Sequence, residues 1–342
     1  MTAIRELTDA DRSRWDEFVQ RMPGGSFFHR AGWAEVIRRG FGHRPHYLLA
    51  ERDGEIAGVL PLIHLKSTLF ANALISTAFC VGGGPLAEDE ATRAALDEAA
   101  IRLADRLDVD FLEYRCPPPR SPGWQSRSDL YCGFVREIDA DPERNLLAIP
   151  RKQRAEVRKG MKHGLVGRLD DGVDRFYDLF ASNARHHGTP VFGKRYFALL
   201  KQVFGPDCEV LIVEKDGRPA SGVMSFYFRD QVLPYYAGSS AESRALSAHE
   251  FMYWDVMRRA GERGVRHFDF GRSKVGTGSF DFKKNWGFEP APLTYGYRLR
   301  RGDRLPEFNP TNPKYRLFIA LWRRLPLGLS KAMGPWIARS LG

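Results

Sequence analysis

Cysteine is scarce and poorly placed: Cys80, Cys116, Cys132 and Cys208 form no CxxC pair, and no His/Cys cluster has metal-ligand spacing. Disulfides, structural zinc and a resident metal are therefore not expected, and a reducing cytoplasm fits this usage. The apolar runs are too short or too often interrupted to be convincing membrane spans. The opening MTAIRELTDADRSRWDEF is polar and lacks the apolar core of a signal peptide. No low-complexity block breaks the alternation of helical and strand patterns. Nor is a Ser-His-Asp or Cys-His arrangement readable from spacing, which argues against a covalent intermediate on a Ser or Cys nucleophile.

What is present is enough for two ordinary domains: 342 residues, 43% of them hydrophobic. The formal net charge of +10 favours an anionic partner, whether nucleotide, tRNA, phospholipid or polyanionic glycan, without choosing among them.

The densest segment is FDFGRSKVGTGSFDFKKNWGFE, residues 268–289. Residues 265–270 alternate aromatic and charged side chains as a short strand does. The strand runs into Gly271, Arg272, Ser273 and Lys274, then a Gly-rich turn, then Phe282, Lys283, Lys284, Asn285 and Trp286. Strand ends followed by such turns are where α/β folds expose backbone N–H groups and polar side chains to ligands. Asp269, Ser273 and the four cations Arg272, Lys274, Lys283 and Lys284 crowd this one connection. A solvated loop anchored by a Trp is the plainer reading.

The chain contains two diverged copies of one unit. WAEVIRRGFGHRPHYLLAERDG aligns without a gap on YFALLKQVFGPDCEVLIVEKDG: Trp33 meets Tyr196, Phe41 meets Phe204 and Gly54 meets Gly217, each 163 residues on. Each copy reads as a helix ending at Phe-Gly, a strand, an Asp-Gly hairpin turn and a second strand. A further match sets ADRLDVDFLEYR on AGERGVRHFDFGR, so that Glu113 falls opposite Asp269. The order of helices, antiparallel hairpin, strand, helix and final strand predicts an α/β (α+β) architecture, a mixed sheet with helices on its faces. It is the order of the GCN5-related N-acetyltransferase (GNAT) fold, so two tandem domains of that kind are expected. The expected bounds are 1–140 for a supporting domain that walls the acceptor cleft, 141–300 for the catalytic one, and 301–342 for a basic helical tail. Copy one leaves its last strand through Arg115, Cys116 and three prolines, a stiff exit with no functional groups arranged.

Four segments carry a family likeness: IPRKQRAEVRKGMKHGL, ARHHGTPVFGKRYF, YYAGSSAESRALSAHEFMYWDVMRRA and FDFGRSKVGTGSFDFKKNWGFEP. In these the chain resembles the FemAB-related proteins of the Fem aminoacyltransferase superfamily, in the subgroup associated with exosortase/PEP-CTERM exopolysaccharide loci. The resemblance implies transfer of an amino acid from aminoacyl-tRNA, or of an acyl group from another donor, to an amine of an envelope precursor. The family's Phe-Lys pair falls on Phe282 and Lys283. The match implies that Lys283 holds donor phosphate or stabilises charge at the transferred carbonyl.

Acyl transfer to an amine needs a polarised carbonyl, a stabilised oxyanion and an acceptor relieved of a proton. Lys283 is the candidate for the first two and Asp269 for the third, with Arg272 beside them; the bland alternative for Asp269 is an ion pair with Arg272 or Lys274. Arg151, Arg154, Arg158 and Lys162, spaced i, i+3, i+7 and i+11, form one cationic stripe on a helix. Such a stripe suits a phosphate-rich donor, or is simply a solvated face. A helix from about Phe176 is stopped by Gly188 and Pro190, where Arg185, His187 and Thr189 are candidates for acceptor contact, against a plain capping turn.

The loop AGSSAESRALSA lacks the Gly-rich signature that cradles pyrophosphate in acetyl-CoA enzymes. Ser239 is kept as a donor of hydrogen bonds there, Ser247 as a helix cap, and Tyr236 and Trp286 as substrate contacts, although tyrosines at such positions are more often core. The Gly82-Gly83-Gly84-Pro85 run in copy one reads as a turn. After Glu307 the tail has Lys314, Arg316, Arg323, Arg324, Lys331 and Arg339 and no acid, with Trp322 and Trp336 among Leu, Ile and Phe. This composition fits amphipathic helices on an anionic membrane, and also helices packed back on the first domain.

The sequence thus supports a cytoplasmic acyl- or aminoacyltransferase acting on an envelope or polysaccharide precursor, with peripheral membrane contact through the tail as an open alternative to its packing on the first domain. The donor is a co-substrate, aminoacyl-tRNA, acyl-CoA or acyl carrier protein, and no cofactor is permanently bound. A catalytically idle basic scaffold for RNA or membrane is the reading from another class.

Overall fold

A computed structural model describes residues 2–67, 72–306 and 313–340, with the side chains of 313–317 outside the description. Lys314 and Arg316 of the tail therefore lie outside the described side chains. The chain divides into two compact units: residues 1–130, 293–308 and 339–342 form the first, and residues 131–292 and 309–338 the second. Residues 131–140, read from sequence as part of the first domain, fall in the second unit.

In the first unit the chain runs β1 (Ala3–Glu6), α1 (Arg12–Arg21), α2 (Gly32–Phe41), β2 (Arg44–Arg52), β3 (Glu55–Lys66), β4 (Asn72–Ser76), β5 (Leu86–Ala87), α3 (Glu90–Arg106) and β6 (Phe111–Tyr114). Strand β7 (Gln125–Glu137) then enters the second unit. There follow α4 (Pro142–Ala148), α5 (Arg151–Lys162), β8 (Val166–Asp170), α6 (Asp174–His187), α7 (Lys194–Phe204), β9 (Cys208–Lys215), β10 (Arg218–Phe228) and β11 (Gln231–Ser239). The short α8 (Ser243–Leu246), α9 (Ala248–Glu262), β12 (His267–Lys274) and α10 (Gly278–Asn285) complete its sheet side. Strand β13 (Ala291–Leu299) returns to the first unit, and α11 (Pro313–Arg324) and α12 (Leu327–Ala338) close the second.

The strands of the first unit lie in the order β1-β2-β3-β4-β6-β13, and those of the second in the order β7-β12-β11-β10-β9-β8. Both contain the expected hairpin, and its turn is the same in each: Asp53 and Gly54 have φ of 53° and 84°, Asp216 and Gly217 of 50° and 76°. Two successive positive φ values define the turn whose twist suits a tight hairpin, which is why Asp-Gly recurs there. Each copy also has one parallel pair flanking its long helix, β4 with β6 and β11 with β12. Two tandem GNAT-like domains with mixed sheets flanked by helices are thus the observed fold.

The long helices bury one face each. In the first unit, Leu96, Ala100, Leu103 and Ala104 of α3 join Leu48, Leu60, Leu62, Leu74 and Leu112 from the strands. In the second, Met252, Val256, Met257 and Ala260 of α9 pack on Val213, Val223, Val232 and Phe268. Full burial of such side chains is worth roughly 1.5–3 kcal/mol each. Helix α5 lies against α9 because Gly160 permits it: a Cβ there would stand 2.8 Å from Cβ of Phe251.

The tail corrects one expectation. Helices α11 and α12 pack on α6 of the second unit. Gly188 is buried under Ile319, Arg185 donates to the Leu325 carbonyl at 3.2 Å, and Trp322 is buried. The first domain was the expected support.

Candidate active site of the second unit

The two copies differ at the end of their parallel pairs. In the first unit β4 and β6 stay in register through Ile75 and Glu113. In the second the registered pairing of β11 with β12 is Gln231 with His267 and Val232 with Phe268, and it stops one residue short of Asp269. Both strands are irregular just beyond. On β11, Met224 of β10 faces Tyr236 while Ser225 faces Pro234, so Tyr235 is the extra residue of a bulge. On β12 the register against β7 shifts between Asp269 and Arg272, with Gly271 at φ 67°. Bulges re-aim side chains and end pairing, and they favour active sites.

Asp269 and Lys283 meet at this bulge. Asp269 Oδ1 accepts the Gly271 N–H at 2.7 Å, and Gln231 Nε2 donates to its other oxygen at 3.4 Å. Lys283, on α10, donates to the carbonyls of Gly271 at 3.2 Å and Arg272 at 3.0 Å. Its ammonium also lies 5.4 Å from the Phe134 ring centroid. Burial pushes the Asp269 carboxyl up to about 6, against the opposing pull of the Gly271 N–H and the Lys283 charge. Burial pushes Lys283 down to about 8, and Asp269 counters it. Both residues keep part of their surface open to solvent. Asp269 has its hydrogen bonds with Gly271 and Gln231 rather than with Arg272 or Lys274, the partners of the bland reading.

The remaining residues of the segment separate. The Arg272 guanidinium lies 4.5 Å from the Tyr131 ring centroid. Ser273 is buried, its hydroxyl without a partner, and pairs in register with Cys132. Lys274 is half-buried at the strand end. Phe282 is half-buried and sits between His249 at 5.6 Å and Tyr253 at 5.7 Å. Trp286 is a correction: it is fully buried among Phe270, Phe282 and Tyr253, an apolar anchor that no substrate can reach. Tyr236 is another, buried in a cluster with Phe180, Phe197 and Phe226, its hydroxyl 2.8 Å from that of Tyr196.

Ser239 is half-buried as the last residue of β11. Ser247 does not cap α9: its φ is 54° and its hydroxyl donates to Glu156 of α5 at 2.6 Å. At the end of α6, Arg185 is half-buried and occupied with Leu325, while His187 and Thr189 are exposed.

Arg151, Arg154, Arg158 and Lys162 do share one face of α5, where they line a groove of about 420 Å³ with Ala155 and Lys159. Lys159 is the cation that the spacing argument omitted. Among the described residues, two of the four stripe residues are drawn to neighbours: Arg154 donates to the Leu147 carbonyl at 3.0 Å and Arg158 lies 3.9 Å from Glu143. A cluster with metal-ligand potential is absent among the described residues.

His249 went unnoticed in the sequence. It opens α9, its ring lies 5.0 Å from Tyr253 and 5.6 Å from Phe282, and its buried Nδ1 has no partner. Burial, and next the charge of His187, push its pKa down to about 4, so the ring is neutral near pH 7. Its adjacency to Phe282 exists only once α10 folds against α9. The first unit resolves the same position differently. Glu113, opposite Asp269 in the repeat, is buried with Arg115, whose Nε donates to it at 3.1 Å. Arg115 also donates to the carbonyls of Cys80 and Thr77, so Glu113 is tied into a buried structural ion pair.

Residues 151–284 match the family described as Acetyltransferase (GNAT) domain. No curated protein matches the chain. Among solved structures, FemX is similar over 86% of this chain and 96% of its own, at 16% identity and a TM-score of 0.69. The tandem GNAT protein from the clavulanic acid biosynthesis pathway is similar over 89% and 100%, at 15% identity and a TM-score of 0.55. L-PGS from Bacillus licheniformis is similar over 95% and 99%, at 13% identity and a TM-score of 0.53. Such identities establish a shared fold, and the domain match adds the chemistry of the second unit: the chain is a transferase built on two tandem GNAT-like domains.

Proposed function

We propose that the protein transfers an acyl or aminoacyl group to an amine of a cell-envelope or exopolysaccharide precursor, with the second unit carrying the chemistry. The observation that supports this most is the Asp269–Gly271–Lys283 arrangement, set where β11 and β12 part. Lys283 has three N–H donors, and two are used on the Gly271 and Arg272 carbonyls. The third is left for the carbonyl oxygen of the acyl group or for a donor phosphate. The acceptor nitrogen forms the new C–N bond as the ester or thioester bond to the donor breaks. One proton leaves the acceptor ammonium for Asp269, and a second goes to the departing hydroxyl or thiol. A carboxylate whose pKa is near 6 is matched to that task near neutral pH.

The cationic groove on α5 would take the phosphates of the donor. Aminoacyl-tRNA is the first reading of the donor, in keeping with the likeness to FemX and with the glycine-free loop between Ser239 and Ser247. Acyl-CoA or an acyl carrier protein is the second, in keeping with the GNAT domain match. The finer placement in the exosortase/PEP-CTERM-associated subgroup, and action at the cytoplasmic face of the membrane, belong to this same reading. The test supplies envelope extract with labelled aminoacyl-tRNA or labelled acyl-CoA. Label moving from tRNA, and lost with RNase and with Lys283→Ala, is expected. Label moving only from acyl-CoA selects the second donor. No transfer from these donors or from acyl carrier protein leaves a basic scaffold.

A further inference from the structure

Helix α12 is packed inside out. Ser330, Gly334 and Ala338 are its buried residues, one small side chain per turn. Gly334 allows a close approach to the 191 backbone, since a Cβ there would stand 2.8 Å from the Val191 carbonyl oxygen. The large apolar residues Leu329, Met333 and Trp336, spaced i, i+4 and i+7, face outward instead, Trp336 with 71% of its surface exposed. On α11, Trp322 is buried while Phe318 and Leu321 are exposed, Leu321 at 57%. Ten large hydrophobic residues are exposed among those described, and five of them fall within residues 318–336. Scattered exposed apolar residues need no explanation, but half of those described falling on two consecutive helices marks an interaction surface.

The charge around the patch selects its occupant. Arg323 and Arg324 are exposed at the end of α11, and no Asp or Glu occurs between residues 308 and 342. A second copy of the chain seated on this face would bring together helices that carry cations and no acid, with Asp178 of α6 already engaged by Lys331. An anionic bilayer offers apolar depth and opposite charge at once. Helices α11 and α12 have 12 residues each, roughly 18 Å, well short of the ~30 Å hydrocarbon core. No helix among the described residues is long and apolar enough to cross a membrane. We propose that helices α11 and α12 lie in the interface of an anionic phospholipid membrane, inserting Leu321, Leu329, Met333 and Trp336 and setting Arg323 and Arg324 among the headgroups.

The full-length protein would be sedimented with vesicles of phosphatidylcholine alone and of phosphatidylcholine with phosphatidylglycerol, at low and high salt. Binding to the phosphatidylglycerol vesicles that weakens with salt is expected. Combining Leu329→Ser with Trp336→Ser should reduce it by roughly a hundredfold, since each removes an inserted apolar side chain. Arg323→Glu with Arg324→Glu should abolish the preference for phosphatidylglycerol. Leu147→Ser, at an exposed leucine of α4, should leave binding unchanged. Circular dichroism of each variant would establish that it folds. The proposal is overturned by absence of vesicle binding, by undiminished binding of the folded Leu329→Ser, Trp336→Ser variant, or by a dimer in sedimentation velocity that this variant converts to monomer.

Discussion

Asp269 and Lys283 hold opposite ends of one residue: the carboxylate takes the Gly271 N–H at 2.7 Å and the ammonium takes the Gly271 carbonyl at 3.2 Å. Gly271 sits at φ 67°, a conformation that costs a side-chain-bearing residue on the order of 1 kcal/mol. The acid and the cation are thus spaced by a peptide turn that only glycine adopts without strain.

Lys283→Ala should lower the transfer rate by roughly 10²–10³-fold, the usual cost of losing a charge-stabilising donor. The fold should survive, because the side chain is only half-buried and its hydrogen bonds go to two backbone carbonyls. Single-turnover rates read beside thermal melts would check this. Full activity in a folded variant removes Lys283 from the site.

The rate should be bell-shaped in pH. Its acidic limb follows ionisation of Asp269 near 6, and its basic limb follows loss of the Lys283 proton near 8. Asp269→Asn should lower the maximum and remove the acidic limb, as a pH series of kcat/KM would show.

Stability follows from the same two groups with a definite sign. Asp269 ionises near 3.8 when unfolded and near 6 when folded, so between those values the folded state holds the extra proton. Stability therefore falls as pH rises through that window. Lys283 loses its proton near 8 when folded and near 10.5 when unfolded, so its contribution makes stability rise with pH between them. At pH 7 both charges are carried at a cost. Asp269→Asn should consequently raise stability by about 1 kcal/mol, a figure reduced for solvent screening of a half-exposed group. Chemical denaturation at pH 5 and pH 7 would measure it.

In the groove of α5, Arg151→Ala with Arg158→Ala should raise the donor KM several-fold and leave kcat nearly unchanged. The slope of log KM against log salt should flatten by one to two as phosphate contacts are lost. Steady-state kinetics over a salt series would test both.

Arg115→Ala in the first unit should do the reverse. It would leave Glu113 buried without its partner and the Cys80 carbonyl without its donor, a loss of about 3–5 kcal/mol. Residual folded protein, isolated at low temperature, should keep its kcat.

Much of this was legible in the chain. The 163-residue offset gave both hairpins, because Asp-Gly encodes its own backbone geometry wherever it stands. The spacing of Arg151, Arg154, Arg158 and Lys162 located the groove, since helical periodicity is a local property. Trp286 and Tyr236 were misread because chemistry-bearing side chains look alike in sequence whether they face solvent or core, and packing by distant segments decides. His249 was missed for the same reason, its neighbour Phe282 lying far along the chain. The inverted α12 was invisible because a helix with apolar residues on several faces does not say which face is buried.

The early end of the β11–β12 pairing leaves a seam between these two strands. Backbone amides pointing into such a seam have no strand opposite to shield them from water. Hydrogen exchange should therefore trace it as a thin line of quick amides between protected neighbours, and the time taken for that line to slow on adding a donor would report whether the seam is where the donor lodges.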